Sequence, residues 1–314
     1  MKKTAKAFAP AGISSFFEIC DTTPEGKPIA DLTRVGARGG GFGLQKGVLT
    51  QVTVSEAKND SISVFINGKK APEAETTITV AKALLSNLNK TYNVNVNHKI
   101  EVPVGAGFGT SAGGALTAGL ALKQALDLPL TYNQIGRVAH VAEVQCKTGL
   151  GTVGPLMISG CILTLEPGAP GISIIDRLPL SPDYVIVAGV FGTTPTKQVL
   201  ASPQKRLEIN RYGRKTLEAI LDEPSIENFL SQCLTFAEKT GFITPRIKQL
   251  ANLAKKAGAV GTAQNMVGEA AHALVLEENA ETVAEAFKRV LPDEQVIVSK
   301  VDFQGARLVG NEEV

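Results

Sequence analysis

A glycine-rich stretch between a strand and a helix constrains this chain more than any other feature. Residues 103–116 read PVGAGFGTSAGGAL; they follow the alternating pattern HKIEVPV and precede an Ala- and Leu-rich helical run at 115–128. A strand that leads through glycine into a helix leaves backbone N–H groups free at the positive end of the helix dipole. Glycine also lets the backbone approach a ligand closely. The stretch therefore predicts a phosphate-binding loop.

Two common phosphate loops do not fit this stretch. The P-loop pattern GxxxxGK[ST] requires a lysine, and residues 103–116 contain none. The dinucleotide-binding fingerprint needs an acidic residue after the next strand, whereas Asp127 stands at the end of a helical pattern. A glycine turn that only lets a strand pack tightly on a helix is the remaining structural alternative. The hydroxyls of Thr110 and Ser111 favour phosphate binding over that alternative.

Composition narrows the functional classes. Of 314 residues, 32 are basic and 30 acidic, so the formal net charge is +2, and no basic block indicates nucleic-acid binding. No apolar run approaches the roughly 20 residues of a membrane span, and the N-terminus lacks a signal-peptide pattern. The four cysteines are far apart, without disulfide or zinc spacing. We therefore expect a cytoplasmic protein with neither a nucleic-acid nor a membrane partner.

The order of patterns predicts two α+β domains. Alternation in 50–57 and 61–68, about Asn59 and Asp60, predicts an antiparallel hairpin. Proline and glycine are concentrated in 165–184, which predicts a domain boundary near 178. The other predicted elements are helices at 76–93, 115–128 and 132–149, a strand at 93–104, a strand at 183–192, amphipathic helices from about 196 to 257, and a strand or hairpin at 295–309. For the helix at 132–149, Asn133 is the expected cap and Gly149 the expected end.

Several motifs carry a family resemblance. PVGAGFGTSAGGAL resembles the PxxxGLGSSAA signature of the GHMP kinases, and FAPAGISSFFEI at 8–19 resembles the first motif of that superfamily. Within it, GARGGGFGLQKGVLT at 36–50 and RVAHVAEVQCKTGLG at 137–151 resemble the archaeal pantoate kinases. The segment AGAVGTAQNMVGEAAHALV at 257–275 is a partial match to the third motif.

The resemblance implies a fold and an activity. The fold would be the two-domain GHMP kinase fold, with a ribosomal-protein-S5-domain-2-like N-terminal domain (1–178) and a ferredoxin-like C-terminal domain (179–314). The activity would be transfer of phosphate from ATP, with Mg²⁺, to pantoate, giving 4-phosphopantoate in archaeal coenzyme A biosynthesis, by a homodimeric enzyme. Two alternatives stay open: another GHMP kinase of the homoserine or mevalonate type, and a catalytically impaired binding protein.

The resemblance also implies site residues. Glu143, in a helix otherwise lined by Val and Ala, would hold the metal together with Ser111. Thr152 stands where the family commonly has a catalytic aspartate, and a threonine cannot act as a base near neutral pH. The nucleotide-binding residues would be Pro103, Gly105, Gly107, Phe108, Gly109, Thr110, Ser111 and Ala112. The acceptor would contact Ser14, Ser15, Arg38, Gly40 and His140.

The threonine at position 152 has an expected consequence, and two other expectations have plain alternatives. Loss of the base at Thr152 is expected to slow phosphoryl transfer rather than abolish it, because the transition state is loose. His140 is equally compatible with a role in helix packing. Phe16, Phe17 and Phe42 could form apolar walls for the acceptor, although core packing is the more common role of phenylalanine.

Overall fold

The computed structural model describes residues 2–86, 88–193 and 202–310. These residues form eight α-helices and twelve strands, and the strands are arranged in two sheets. The strands are β1 (Lys3–Cys20), β2 (Gly36–Ala57), β3 (Ser61–Ile66), β4 (Lys69–Lys70), β5 (Thr91–Ile100), β6 (Cys161–Glu166), β7 (Ile174–Leu178), β8 (Tyr184–Thr193), β9 (Gly261–Gln264), β10 (Gly268–Leu276), β11 (Val296–Lys300) and β12 (Arg307–Val309). The helices are α1 (Glu75–Leu85), α2 (Thr110–Leu126), α3 (Tyr132–Cys146), α4 (Val153–Ile158), α5 (Pro203–Asp222), α6 (Ile226–Lys239), α7 (Pro245–Lys256) and α8 (Ala280–Lys288).

The first sheet is built around two long strands. Its order is β12-β1-β2-β5-β3-β4, and β6 and β7 extend it beside the first part of β2. Residues 39–42 of β2 pair with β6, whereas residues 48–57 pair with β5. Helices α1 to α4 share one hydrophobic core with this sheet. Helix α2 is buried along most of its length, and its small residues allow this: a Cβ at Gly113 would lie 3.0 Å from Val48 Cγ2.

The predicted hairpin at 50–57 and 61–68 is wrong. Both segments are strands, but β5 lies between them and pairs antiparallel with β2 and parallel with β3. The parallel pairing is reached through a crossover that contains α1, as parallel strands require. Val94 and Val96 of β5 are almost fully buried, so this strand takes a central position in the sheet. The short turn at Asn59 and Asp60 therefore leads past β5 instead of closing a hairpin.

The second sheet has the order β11-β8-β10-β9 and is antiparallel throughout. Helices α7 and α8 share a core with β8 and β10. The C-terminal segment at 295–309 does not form a hairpin, because β11 joins this sheet while β12 pairs with β1 of the first sheet. Of the helices expected from 196 to 257, the described part contains α5 to α7, and residues 196–201 lie outside the described ranges.

A cluster of aromatic rings joins the two sheets. Phe16 and Phe42 from the first sheet contact Phe229 of α6 edge to face, and Phe16 also contacts Phe236. These rings belong to one core that includes residues from both halves of the chain. The predicted α+β class is confirmed, and the structure has two sheets, while the boundary between 1–178 and 179–314 stays a prediction. No helix within residues 2–86, 88–193 and 202–310 combines the length and apolar character needed to cross a membrane.

Candidate active site

A cleft of about 1000 Å³ opens where the phosphate loop, the first two strands and the β9–β10 turn meet. Its lining includes Ser14, Arg38 and Gly40 from β1 and β2, and Met266 from the β9–β10 turn. The first motif and the loop are joined directly, because the Gly12 N–H donates to the Phe108 carbonyl at 3.0 Å. The segments expected to bind nucleotide and acceptor therefore face one shared space.

The loop before α2 has the geometry of an anion site. Gly105, Gly107 and Gly109 have φ angles of +78°, +81° and +61°, in the left-handed region that favours glycine. Gly109 is the N-cap of α2 and supplies no side-chain cap, so the N–H groups of the first turn are available to a ligand. All predicted nucleotide-binding residues line the cleft except Pro103, which precedes the loop.

Glu143 lies next to the start of α2. Its Oε1 accepts hydrogen bonds from Ser111 Oγ at 2.5 Å and from Thr148 Oγ1 at 2.7 Å. Thr76 Oγ1 completes the group, at 3.0 Å from Thr148 Oγ1 and 3.3 Å from Ser111 Oγ. Two hydroxyl groups thus hold one carboxylate oxygen in place, and a third hydroxyl contacts both of them.

The second carboxylate oxygen of Glu143 fits a cation. Oε2 accepts no hydrogen bond from the described residues, and a Cβ at Gly149 would lie only 2.2 Å from it. Burial raises the pKa of Glu143, and the Ser111 and Thr148 hydrogen bonds oppose that rise. The described residues contain no group of three or more His, Cys, Asp or Glu side chains that could hold a metal. A magnesium ion here would depend on Glu143, Ser111 and oxygens of a bound ligand, a set that suits a hard cation.

Thr152 lies between the first motif and the phosphate loop. Its Cγ2 would lie 2.9 Å from a Cβ added to Gly109 and 3.5 Å from a Cβ added to Gly12. The residue precedes α4, and its hydroxyl makes no capping hydrogen bond. At this position the cleft is therefore lined by the hydroxyl and methyl groups of Thr152, where an aspartate would have supplied a carboxylate.

Two of the predicted acceptor residues do not line the cleft. Ser15 is fully buried, and its Oγ lies 3.1 Å from His272 Nε2. His140 is also buried, with its Nε2 2.9 Å from the Val35 carbonyl oxygen, and burial lowers its pKa. His140 thus connects α3 to the loop before β2. At the third motif, Asn265 packs against the phosphate loop, since a Cβ on Gly107 would lie 3.0 Å from Asn265 Cβ.

Several polar residues around the cleft were not predicted from the sequence. Asp21 and Arg206 both line it and form an ion pair. Glu18 lies beside Arg38, Thr148 donates a hydrogen bond to Glu143, and Thr76 contacts Thr148. A lone acid in the apolar strand segment SSFFEIC was a usable signal for Glu18.

Comparison with known proteins identifies the family. A model of the GHMP kinases N terminal domain matches residues 75–159. The pantoate kinase of Thermococcus kodakarensis is 34% identical over 281 residues, which cover 88% of this chain and 89% of that protein. The chain belongs to the pantoate kinase family of GHMP kinases. The pantoate kinase of Methanocaldococcus jannaschii is 29% identical over 281 residues, 90% of this chain and 96% of that protein.

Solved structures agree with membership in this kinase family. A structure described as a phosphotransferase related to the CoA biosynthesis pathway superposes with a TM-score of 0.85 at 29% identity, covering 99% of this chain and 100% of that one. A homoserine kinase from Cytophaga hutchinsonii superposes with a TM-score of 0.69 at 17% identity, covering 98% of each chain, and supports the fold alone. The predictions of a GHMP kinase fold and of a kinase are confirmed.

Proposed function

We propose that this GHMP kinase transfers the γ-phosphate of ATP to the C4 hydroxyl of pantoate, giving 4-phosphopantoate and ADP in coenzyme A biosynthesis. The observation that carries the proposal is the similarity to pantoate kinases over about nine tenths of both chains, with 29% and 34% identity. We further propose an archaeal, cytoplasmic homodimer that uses Mg²⁺, as the family resemblance implies.

The phosphate loop would bind the nucleotide. The first-turn N–H groups of α2 and the glycine backbone before it would donate to the phosphate oxygens, whose charge the helix dipole favours. Glu143 Oε2 and Ser111 Oγ would hold Mg²⁺, and the ion would neutralise phosphate charge as it develops. Thr148, itself in contact with Thr76, would keep the Glu143 carboxylate in one orientation.

The acceptor would lie between β1, β2 and the loop. Arg38 lines the cleft and would bind the carboxylate, while Phe17, which also lines the cleft, would offer apolar surface to the gem-dimethyl group. The side chains of Phe16 and Phe42 are buried in the aromatic cluster and serve the core. Thr152 lies beside the phosphate loop and offers no base. The hydroxyl proton would leave late in the transfer, which a loose transition state allows at reduced rate.

The test is ADP release by the purified protein with ATP and Mg²⁺, across pantoate, pantothenate, homoserine and mevalonate. The proposal expects turnover on pantoate alone, and Thr152→Asp is expected to increase it. A Glu143→Gln variant measures the background ATPase of the preparation. Turnover only on homoserine or mevalonate would refute the pantoate assignment. If both the wild type and Thr152→Asp bind nucleotide without turnover, the result would favour the binding-protein alternative.

A further inference from the structure

We propose that Arg38 binds the carboxylate of the acceptor and that Glu18 and Arg214 are positioning residues for it. Arg38 is the proposed contact with the acceptor, whereas Glu18 and Arg214 act through Arg38. The inference rests on the proposed function and assigns residues that set the specificity of the same site for a small carboxylic acid.

Glu18 and Arg38 are direct partners across two strands. They stand opposite each other in the β1–β2 register, and Arg38 Nε lies 3.5 Å from Glu18 Oε2. The Glu18 side chain is only 4% exposed, whereas that of Arg38 is 32% exposed and lines the cleft. Both Arg38 Nε and Glu18 Oε2 are buried without a hydrogen bond. The two charged groups are close enough to attract each other strongly, but no hydrogen bond joins these two atoms. Glu18 therefore orients Arg38 and leaves hydrogen-bonding capacity of the guanidinium available to a ligand.

Arg214 reaches the other oxygen of Glu18 from helix α5. Its Nη2 and Nε donate to Glu18 Oε1 at 2.8 and 3.3 Å. Two guanidinium groups therefore share one buried carboxylate, which leaves a single positive charge at the site. Without Arg214, the charge of Glu18 would be balanced by Arg38 alone, and the surroundings of Arg38 would lose their net positive charge.

The position of Arg214 is fixed by a row of contacts along α5. At successive turns, Arg206 pairs with Asp21, and Asn210 exchanges hydrogen bonds with both the N–H and the carbonyl of Ile19. The helix approaches β1 so closely that a Cβ on Gly213 would lie 2.2 Å from the Phe17 carbonyl oxygen. A helix of the C-terminal half thus sets the net charge around an arginine that belongs to the N-terminal sheet.

The experiment combines isothermal titration calorimetry with steady-state kinetics, using pantoate and its neutral amide as ligands. The variants are Arg38→Ala, Arg214→Ala, Arg214→Lys and the double variant Glu18→Gln/Arg214→Ala. Arg211→Ala, an exposed arginine on the same helix, is the matched control. The Michaelis constants for ATP and for the acceptor are measured separately.

Arg38→Ala is expected to raise KM and Kd for pantoate by roughly tenfold or more, the usual effect of losing a charged contact. Arg214→Ala acts through Arg38 and is expected to raise both constants by up to about tenfold. Arg214→Ala should leave the constants for ATP unchanged, and in both variants the loss of affinity for the amide should be clearly smaller than the loss for pantoate. Arg214→Lys should keep most of the affinity. The double variant should recover affinity for pantoate, because it restores a single positive charge while the introduced glutamine side chain can still accept from Arg38.

Equal losses with pantoate and the amide, or no recovery in the double variant, would overturn the inference. If the wild type does not phosphorylate pantoate but does phosphorylate homoserine or mevalonate, the same variants are tested with that acid. The same pattern there would refute the proposed function and support the carboxylate site. Absence of binding to all three acids would overturn the carboxylate site as well.

Discussion

Two buried histidines are expected to make this protein lose stability in mild acid. His98 lies in the core, with Nδ1 2.7 Å from Thr50 Oγ1 and Nε2 3.1 Å from Thr77 Oγ1, and burial lowers its pKa to about 4. His272 lies between Ser15 and Asn265, at 3.1 and 2.8 Å, and burial lowers its pKa to about 3. Both rings are therefore neutral in the native state at pH values where an unfolded histidine is protonated.

The sign and size of the effect follow from these pKa values. The unfolded pKa is 6.5, so the stability is fully present above that value and falls as the pH drops toward about 4 for His98 and about 3 for His272. Each histidine costs about 1.4 kcal/mol per pH unit in this window. The loss at pH 5 is about 2 kcal/mol for each ring and about 4 kcal/mol together, a large share of a stability of about 5–15 kcal/mol.

Urea denaturation between pH 5 and pH 8 tests this expectation. His98→Gln should reduce the dependence of the free energy of unfolding on pH by about 1.4 kcal/mol per unit below pH 6, because one titrating group is gone. Thr77→Val is the control: it removes a hydrogen bond to the ring, should lower the free energy of unfolding by about 1 kcal/mol at both pH values, and leaves the histidine to titrate. If His98→Gln and the wild type lose equal stability between pH 8 and pH 5, His98 is not the source of the loss.

Three further predictions concern the cleft. Glu143→Gln should lower kcat roughly 100-fold or more through loss of the proposed metal contact. It should also raise the free energy of unfolding at neutral pH, because burial raises the pKa of this carboxyl and a neutral amide has no charge to bury. Kinetics and urea melts measure the two effects. Thr148→Val should raise the Mg²⁺ concentration for half-maximal rate by roughly tenfold, and Thr148→Ser should not. Gly109→Ala should cost about 1 kcal/mol or more of stability, since φ is +61° there, and should raise KM for ATP; unchanged values would contradict the loop geometry.

The local parts of the fold were predictable from the sequence, and the pairing of distant strands was not. The helix after the glycine loop was predictable because its sequence is rich in Ala and Leu, and the structure places it at Thr110–Leu126. The hairpin at Asn59 and Asp60 failed because β5, about thirty residues later in the chain, takes the place beside β2. The helix at 132–149 was also found, but Thr131 caps it in place of Asn133, and it ends at Cys146 before Lys147 turns left-handed.

In the candidate site too, the residues of local motifs were predictable, and the direction in which each side chain points was not. The loop glycines and Glu143 were predictable because a short motif carries them, and the structure brings them together at the cleft. Ser15 and His140 were predicted for the acceptor but lie in the interior, because neighbouring residues on a strand or helix point in different directions. No local pattern distinguishes a residue that faces the cleft from its neighbour that faces the core.

The pair formed by Glu18 and Arg214 shows what kind of information a sequence pattern lacks. The two residues are 196 positions apart, and their contact depends on how α5 lies along β1. The four-residue spacing of Arg206, Asn210 and Arg214 predicts one face of a helix, but not the strand that this face meets. In the proposed site, one contiguous loop would recognise the nucleotide, whereas the charge offered to the acceptor would depend on contacts between the two halves of the chain. We therefore expect substitutions in α5 to alter the choice of acceptor while the phosphate loop stays unchanged.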